Sequence, residues 1–583
     1  MTRKSNYDKL PSIQAGEEQD CIKGWAKIAN ALLCSLPERG GVIAVECYPG
    51  VFADQIENAL QSALAPCAVI RTSELLKTPE AIRAMLAPYL GNDPVFGRMN
   101  GIAIEDYFDA SRLESARLQF TSNREPRLLV IGTGATLVSP HPNVVVYADI
   151  ARWEIQQRWR RKEIGNLGLD NREDADGKYK CGYFVEWRAA DRLKKSLLQR
   201  LDFLLDTNDA SSPKMIRGDA FRRALRVASQ RPFRVVPYFD PGPWGGHWME
   251  EVCDLPRDRA NHAWCFDCVP EENSLLLGFG DTRVEIPAID LVFAHPHELL
   301  GESVHARFGT EFPIRFDFLD TMGGGNLSLQ VHPLTEYIQD NFGMHYTQDE
   351  SYYMLDAGED ATVYLGLRED AEPTEVLHDL RAAQEGGFLF PAERYANIWP
   401  AHKHDHFLIP AGTMHCSGKN GMVLEISATP YIFTFKLWDW DRVGLDGKPR
   451  PIHIDHGEAN IQWDRTTAWV RNNLVNRIEP VASGPGWKEE RTGLHRREFI
   501  ETRRHWFQEP VLHNTEGTVN VLNLVEGDEA IVESPTAAFL PFVVHYAETF
   551  IVPAAVGAYS IRPHGPSIGK QCATIKAFVR SKA

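Results

Sequence analysis

The chain has 583 residues, of which 43% are hydrophobic and 24% are charged, and its formal net charge at pH 7 is −17. This length exceeds what one hydrophobic core supports, so we expect about two to four domains. The acidic balance argues against general binding to nucleic acid or to anionic membranes. The sequence also has no apolar run near the roughly 18 residues that cross a bilayer.

The cysteines and the N-terminus predict where the protein works. Ten cysteines are scattered along the chain, a distribution typical of reduced thiols rather than of a disulfide framework. The first residues, M-T-R-K-S-N-Y-D-K-L, are charged but no hydrophobic stretch follows them, so we expect no secretory signal. The sequence therefore predicts a cytoplasmic protein with no membrane partner.

Residues 1–20 are polar and are expected to be loosely held, and residues 21–230 show an α/β pattern. Apolar residues at helical spacing run from Lys23 to Leu36. Short apolar runs predict buried parallel strands at 42–45, 127–134 and 143–149. The basic segment W-E-I-Q-Q-R-W-R-R-K predicts a helix, and the pattern is again helical from Asp191 to about Gln230. We therefore predict an α/β domain over 21–230.

The order of these elements resembles P-loop kinases of the uridine kinase type, which have a first strand and phosphate loop, later strands and an arginine-rich lid. A working phosphate loop carries G-K-[ST] after its glycine. Here the loop reads C-Y-P-G-V-F-A-D and has neither the lysine nor the hydroxyl. The resemblance thus implies a degenerate, non-catalytic domain. Gly50 before a helix leaves a nucleotide or anion partner open, and the alternative is only a tight turn.

Beyond about residue 231, short strands alternate with turns, as in an all-β barrel or sandwich. In N-L-S-L-Q-V-H-P, the alternation places Gln330 and His332 on one face of a strand that Pro333 closes. Glu350 opens the next strand-like run, and His415 ends the turn I-P-A-G-T-M-H. Two imidazoles, a carboxylate and a neutral oxygen are therefore candidates for one site.

Ligands of these types suit zinc, although ligand type alone also admits non-haem iron or manganese. We predict one Zn²⁺ per chain, held by Gln330, His332, Glu350 and His415. The alternative is that each residue is an ordinary solvated strand or turn position. The combination of all four with the Pro-x-Gly-x-x-His turn favours the metal site.

These segments together resemble type I mannose-6-phosphate isomerases. The motifs are L-S-L-Q-V-H-P, the strand-opening glutamate, I-P-A-G-T-M-H, L-E-I-S and K-L-W-D-W-D-R, with F-P-I-R-F-D-F-L-D and P-Y-F-D-P-G-P-W-G-G before them. The resemblance covers about 231–583. It implies mainly-β cupin (jelly-roll) domains: a metal-binding domain at 231–500 with a helical insertion at about 368–400, and a second, metal-free domain at 501–583.

The same resemblance implies a function and further site residues. The expected activity is zinc-dependent interconversion of mannose 6-phosphate and fructose 6-phosphate through a cis-enediol, so the partner is a small sugar or sugar phosphate. Glu425 corresponds to the glutamate of the L-E-I motif, a candidate general base. Lys436 stands where the family has a catalytic arginine, and Arg315 and Arg442 are candidates for binding the substrate.

Three positions depart from the family and keep other functions open. Lys436 replaces an arginine and loses its two-pronged donor geometry. Gln348 and Asp317 each stand where the family commonly has a lysine, which weakens the case for a phosphosugar. The alternatives are an isomerase of another or unphosphorylated sugar, and a non-catalytic, metal-containing sugar-binding or regulatory protein.

Overall fold

The computed structural model describes residues 5–122, 126–430, 432–493, 495 and 498–580. The chain divides into two compact units. We call Ser12–Ala228 with Ser274–His295 the α/β unit, and Met1–Pro11, Ser229–Asn273 and Pro296–Ala583 the β unit. Within the described residues, none of the helices has the length and apolar character that crossing a membrane requires.

The strands up to residue 331 are β1 Ser12–Gly16, β2 Cys21–Lys23, β3 Gly41–Cys47, β4 Ala68–Arg71, β5 Arg127–Gly132, β6 Val144–Asp149, β7 Phe203–Asp206, β8 Lys214–Arg217, β9 Tyr238–Asp240, β10 Trp264–Cys268, β11 Ser274–Phe279, β12 Thr282–Pro287, β13 Ile314–Asp320 and β14 Leu329–Val331. The later strands are β15 Glu350–Ala357, β16 Thr362–Leu367, β17 Ala396–Pro400, β18 His406–Ile409, β19 His415–Ser417, β20 Gly421–Ala428, β21 Phe435–Trp438, β22 Glu479–Gly484, β23 Trp487–Arg491, β24 Ile500–Phe507, β25 Val511–Asn514, β26 Asn520–Glu526, β27 Glu529–Glu533, β28 Phe542–His545, β29 Thr549–Val552, β30 Ala558–Pro563 and β31 Cys572–Val579.

The α-helices are α1 Trp25–Cys34, α2 Ala53–Leu64, α3 Pro79–Leu90, α4 Ala110–Ser122, α5 Ala135–Val138, α6 Arg152–Arg160, α7 Ala175–Cys181, α8 Trp187–Leu197, α9 Gly218–Ala228, α10 Trp248–Val252, α11 Ile289–Ala294, α12 Pro296–Leu300, α13 Glu302–Phe308, α14 Thr335–Phe342, α15 Pro373–Glu385, α16 Ala392–Tyr395, α17 Ile454–Glu458 and α18 Thr467–Asn473. A π-helical turn, Gly182–Glu186, joins α7 to α8.

The α/β unit is built on a mostly parallel sheet in the order β2-β8-β7-β6-β3-β5-β4. Strands β3 to β7 run parallel, and β8 and β2 extend one edge antiparallel. The first strand of the parallel set, β3, therefore lies at its centre. Apolar side chains of β3, β5, β6 and β7 pack with those of α1 and α2 in one core cluster, because a parallel sheet buries both faces under helices.

The predicted helical stretch from Asp191 to about Gln230 is interrupted, and that part of the prediction is wrong. Helix α8 ends at Leu197, and strands β7 and β8 precede α9. The run Phe203–Asp206 is buried at every position, so it shows no two-residue alternation. A short strand of this kind cannot be told from a buried helical turn by periodicity alone.

The α/β unit also contains a small sheet in the order β1-β11-β12. Strand β1 pairs parallel with β11, and β11 forms an antiparallel hairpin with β12. The segment Ser274–His295, which lies inside the metal-binding domain predicted from sequence, thus belongs to the same compact unit as Ser12–Ala228. The α/β unit is therefore formed from two stretches that are separated in the sequence.

The β unit contains two pairs of sheets. The first sandwich combines the sheets β18-β15-β20-β13-β10-β9 and β17-β16-β19-β14-β21. The second sandwich combines β22-β23-β24-β31-β26-β29 and β25-β30-β27-β28, and apolar side chains from both of its sheets share one core cluster. Helices α15 and α16 lie in the predicted insertion at about 368–400.

A buried ion cluster links distant segments of the α/β unit. The ammonium of Lys194 on α8 lies 2.7 Å from Asp149 Oδ2, at the end of β6, and 2.5 Å from Asp290 Oδ1 on α11, and all three side chains are fully buried. The rings of Tyr48 and Tyr147 lie 5.2 and 5.5 Å from the ammonium. Two carboxylates buried at one point require this cation, since an uncompensated buried charge is costly.

We predict that Lys194→Met lowers the free energy of unfolding of the α/β unit by about 3–5 kcal/mol, because two buried carboxylates lose their cation. Burial already raises the pKa of Asp290 well above its usual value, against the pull of Lys194. Such a carboxyl favours the folded state when protonated, so the variant should be most stable at low pH and lose stability as the pH rises. Chemical denaturation at several pH values measures this.

The matched control is Lys195→Met, the exposed neighbour on α8, which should change the unfolding free energy by no more than about 0.5 kcal/mol. Equal losses in the two variants would contradict a specific role for the buried cation.

Candidate metal centre

Four predicted ligands come from both sheets of the first sandwich. Gln330 lies on β14, His332 directly follows that strand, and His415 begins β19 of the same sheet. Gln330 and His415 are register partners across β14 and β19. Glu350 begins β15 of the facing sheet. All four side chains are at least 93% buried, so the site lies between the sheets rather than on a solvated face.

The distances show how closely these groups meet. His332 Nε2 lies 3.2 Å from Glu350 Oε2, and His415 Nε2 lies 2.8 Å from Glu350 Oε1. Donor atoms of the three residues all lie within 4.8 Å of one another, and no other such group of His, Cys, Asp and Glu occurs in the part of the chain that the structure describes. One cation could therefore contact all three.

Backbone carbonyls fix the orientation of both imidazoles. His332 Nδ1 lies 3.2 Å from the carbonyl oxygen of Phe433, and His415 Nδ1 lies 2.8 Å from that of Thr413. An Nδ1–H that donates to each carbonyl leaves the Nε2 lone pair free and directed to Glu350. Metal-binding histidines in proteins are commonly held in this way.

Gln330 completes the donor set. Its Nε2 lies 3.3 Å from His415 Nε2, and rotation of the carboxamide exchanges its nitrogen and oxygen. Gln330 can therefore offer a neutral oxygen at the same point. The set is then two imidazole nitrogens, a carboxylate and an amide oxygen, which suits a divalent ion such as zinc.

Two observations show that the residues fit such an ion. His332 Nε2 and Glu350 Oε1 are buried atoms without a hydrogen-bond partner among the described residues, although buried polar atoms are normally paired. Burial by itself would raise the pKa of Glu350, but positive charge beside it, which the two imidazoles carry when they are protonated, holds the pKa well below its usual value. The carboxylate is thus kept in the anionic form that a cation binds.

A second group of buried charges adjoins the ligands. Gln348 Nε2 donates to Glu350 Oε2 at 2.9 Å and to Glu425 Oε1 at 3.2 Å. Arg315 on β13 lies 3.3 Å from the same Glu425 oxygen and pairs with Asp317. Burial, and then the charges of Asp317 and Glu350, raise the pKa of Glu425 well above its usual value. A carboxyl group with a raised pKa, Glu425, is therefore connected to the predicted ligand Glu350 through the carboxamide of Gln348.

The two remaining candidates are Lys436 on β21 and Arg442, which follows that strand. Lys436 on β21 is the register partner of Gln330, and burial, followed by the charge of Arg450, lowers its pKa to about 8. Arg442 instead donates to the carbonyl oxygen of Asn326 at 2.5 Å and to Asp439 at 2.8 Å. Its guanidinium is therefore held by the protein itself.

Sequence reasoning missed the connecting role of Gln348 and the carbonyls of Phe433 and Thr413. The sequence identifies Gln348 only as a position where the family commonly has a lysine. Its position two residues before Glu350 is the available signal, since alternate residues of an extended segment share a face. The carbonyls carry no signal at all, because every residue has one.

We predict that His332→Ala and Glu350→Ala each reduce bound zinc to less than roughly a tenth of the wild-type content, because each removes a ligand from a four-donor site. Elemental analysis of the purified protein after dialysis against zinc measures this. The control is His402→Ala, since the His402 side chain is 77% exposed and is expected to leave the zinc content unchanged. Unchanged zinc in both site variants would refute the ligand assignment.

Comparison with known proteins finds a family model and several sequence relatives. Residues 24–230 match a family described as Domain of unknown function (DUF8485). The mannose-6-phosphate isomerase of Streptococcus mutans is 28% identical over 36% of this chain and 62% of its own length. The isomerase ManA of Bacillus subtilis is 27% identical over 38% of this chain and 65% of its own length.

The chain spans slightly less than two thirds of the length of these relatives. Among solved structures, the mannose 6-phosphate isomerase from Bacillus subtilis aligns with 60% of this chain and 99% of its own, at 18% identity and a TM-score of 0.48. That value is too low to add to the assignment, which rests on the sequence relatives. Over about 38% of its length, the chain is homologous to the type I mannose-6-phosphate isomerases, which have the cupin fold.

Proposed function

We propose that the protein is a zinc-dependent aldose–ketose isomerase that interconverts mannose 6-phosphate and fructose 6-phosphate. The observation that carries this proposal is the buried His332–Glu350–His415 group, with both Nε2 atoms directed at one carboxylate, in a chain homologous to such isomerases. We assign Gln330, His332, Glu350 and His415 as ligands of one zinc ion per chain.

Bound zinc would supply Lewis-acid stabilisation of the sugar oxygens at C1 and C2. The protein must supply the proton transfer. The C2–H of the aldose is removed as a proton by a carboxylate, which leaves a cis-enediolate with its negative charge on O1. O1 takes up the proton of the C2 hydroxyl, and the carboxylic acid returns its proton to C1 to give the ketose. A base for this step needs a raised pKa and a position beside the reacting carbons.

Glu425 meets the first of these requirements, and we assign it as the general base. Its raised pKa makes its ionised form a stronger base than a solvated glutamate. Gln348 donates to both Glu425 and Glu350 and so keeps the base beside the predicted metal. Arg315 Nη1 lies 3.3 Å from Glu425 Oε1, so its guanidinium compensates part of the negative charge of the ionised Glu425.

Lys436 is assigned as the cation that faces the reacting oxygens, in place of the family's arginine. Its pKa of about 8 keeps the greater part of it protonated at neutral pH. Arg315 and Arg442 remain our candidates for substrate contacts, although Arg315 pairs with Asp317 and Arg442 with Asp439. Neither is a free cation ready for a phosphate group.

A second function is favoured by Gln348 and Asp317, which stand where the family commonly has a positively charged lysine. Gln348 is neutral, and Asp317 is a buried carboxyl that takes up much of the charge of Arg315. A pocket with these substitutions suits isomerisation of another sugar or of an unphosphorylated sugar. The third alternative is a metal-containing sugar-binding or regulatory protein without turnover.

We further propose that the α/β unit is a degenerate P-loop kinase-like domain. Its first parallel strand, β3, is central and leads through the loop Tyr48–Phe52 into α2, which is the strand–loop–helix arrangement of phosphate loops. Arg158 Nη1 donates to the carbonyl oxygen of Gly50 at 2.8 Å, and the guanidinium lies 4.0 Å from the Phe52 ring centre. A side chain of the protein therefore packs on the loop, which supports a non-catalytic role. Nucleotide or anion binding there stays a prediction.

The direct test of the isomerase proposal is turnover of mannose 6-phosphate and of free mannose by the full-length protein with zinc. Fructose 6-phosphate is measured by a coupled NADP-reduction assay and fructose by chromatography. We expect turnover of mannose 6-phosphate. Turnover of free mannose alone would contradict the phosphosugar assignment in favour of the second function, and turnover of neither with zinc bound would favour the third.

Variants of Glu425 and Lys436 test the catalytic step separately from metal binding. Glu425→Gln and Lys436→Ala should retain zinc but lower kcat by about 10²-fold or more, in the range typical of a general base or an electrostatic donor. The exposed Lys419→Ala, whose side chain is 55% exposed, serves as the control. Wild-type kcat in either site variant would remove that residue from the catalytic set.

A further inference from the structure

The second sandwich has a row of positive charges on its inner face. Arg491 on β23 is the register partner of Arg503 on β24, and Arg503 is the register partner of Lys576 on β31. Register partners share a face and lie side by side, and like charges placed directly opposite are destabilising. Such a row is therefore not expected in a sheet unless something else compensates it.

The row lies on the side of the sheet that faces the core. Lys576 is the register partner of Leu522 on β26, and Leu522 belongs to the core cluster that both sheets of the second sandwich share. Phe507, two residues after His505 on the same strand, belongs to it as well. Lys576 and most of Arg503 thus lie between the sheets, whereas the Arg491 side chain at the end of the row is 43% exposed.

Carboxylates form ion pairs with the arginines, whereas the charges of Glu489, Glu516 and Glu501 act on Lys576 only from beyond ion-pair distance. Glu489 lies 2.8 Å from Arg503, and Glu501 lies 2.6 Å from Arg503 and 3.3 Å from both Arg491 and Arg580. Lys576 is 7% exposed, yet among the residues that the structure describes no carboxylate lies within ion-pair distance of its ammonium. Burial lowers its pKa to about 8, as expected for an ammonium that lacks an adequate counter-charge.

Two buried histidines lie at the same place. His505 is next to the row on β24, and His513 on β25 of the facing sheet has its ring centre 4.4 Å from that of His505. His505 Nε2 lies 3.2 Å from Glu489. The other nitrogen of His505 and both nitrogens of His513 are buried and lack a hydrogen-bond partner among the described residues. Such atoms call for a partner that the chain itself does not provide.

The chemistry of this partner follows from the charges. Arg491, Arg503 and Arg580 are paired with glutamates, whereas Lys576 brings a buried positive charge that has no carboxylate at ion-pair distance, which repels a metal cation and favours an anion. Lys576 and His505 share a face of the neighbouring strands β31 and β24, since Lys576 pairs with Arg503 and His505 pairs with Thr574. After burial, the charge of Lys576 contributes to the lowered pKa of both imidazoles. A phosphate group carries about two negative charges at neutral pH and accepts several hydrogen bonds.

We propose that the inner face of the second sandwich, at Lys576, His505 and His513, binds a small phosphate-bearing anion. Ligand sites are built from a small number of polar groups that converge on one point. Lys576 supplies the counter-charge, and His513, which has an N–H without a partner, donates to a phosphate oxygen. This site shares no residue with the candidate metal centre, and the proposal does not depend on isomerase activity.

The test is equilibrium dialysis of the full-length, zinc-containing protein with radiolabelled inorganic phosphate. Wild-type protein should bind phosphate, Lys576→Met should lower the affinity at least tenfold, and Lys576→Arg should retain most of it. The exposed Lys570→Met, whose side chain is 64% exposed, is the matched control and should bind like wild type. Circular dichroism and thermal unfolding establish that each variant is folded.

His513→Gln provides a second route if Lys576→Met fails to fold, and it should also weaken binding. Competition by glycerol 3-phosphate tells whether the natural ligand is a phosphate ester or free phosphate. Stronger competition than that of unlabelled phosphate indicates an ester, and weaker competition indicates the free anion. The proposal is overturned if wild type binds no phosphate at millimolar concentration, or if Lys576→Met and His513→Gln bind like wild type. It is also overturned if only Lys436→Ala loses binding, since the phosphate then lies at the metal centre.

Discussion

The candidate site depends on one buried carboxylate. Glu350 begins a strand of one sheet and takes both of its close imidazole contacts, His332 and His415, from the facing sheet. It can hold this position only because the two sheets face each other, and its negative charge would be costly there without a cation. The proposed metal, the tautomers of the two histidines and the link through Gln348 to Glu425 all follow from this placement.

The two sandwiches of the β unit differ in the charge that they bury. In the first, carboxylates and imidazoles meet between the sheets and favour a cation. In the second, Arg503 and Lys576 stand side by side with two imidazoles that have unpaired nitrogens, an arrangement that favours an anion. On the two proposals, one architecture accommodates opposite ligand chemistries, because side chains at a few inward positions decide which ion is stabilised.

Much of the first site could be anticipated from the sequence, since its signals are local. Alternation in L-S-L-Q-V-H-P places Gln330 and His332 on one face, and Glu350 begins the strand that the sequence indicates. The charge row of the second sandwich could not be anticipated, because the register that aligns Arg491, Arg503 and Lys576 joins segments far apart in the chain. The buried strand Phe203–Asp206 cannot be told from a helix by its sequence, since burial on both faces removes the alternation that marks a strand.

The central claim is that the His332–Glu350–His415 group holds the zinc on which isomerisation depends. The most direct measurement is to remove metal from the full-length protein with a chelator, return zinc in steps, and record bound zinc and mannose 6-phosphate turnover on the same samples. Activity should be lost on chelation and rise in proportion to bound zinc until one ion is bound per chain. Full activity in the metal-free protein, or no activity at full zinc occupancy, would contradict the account.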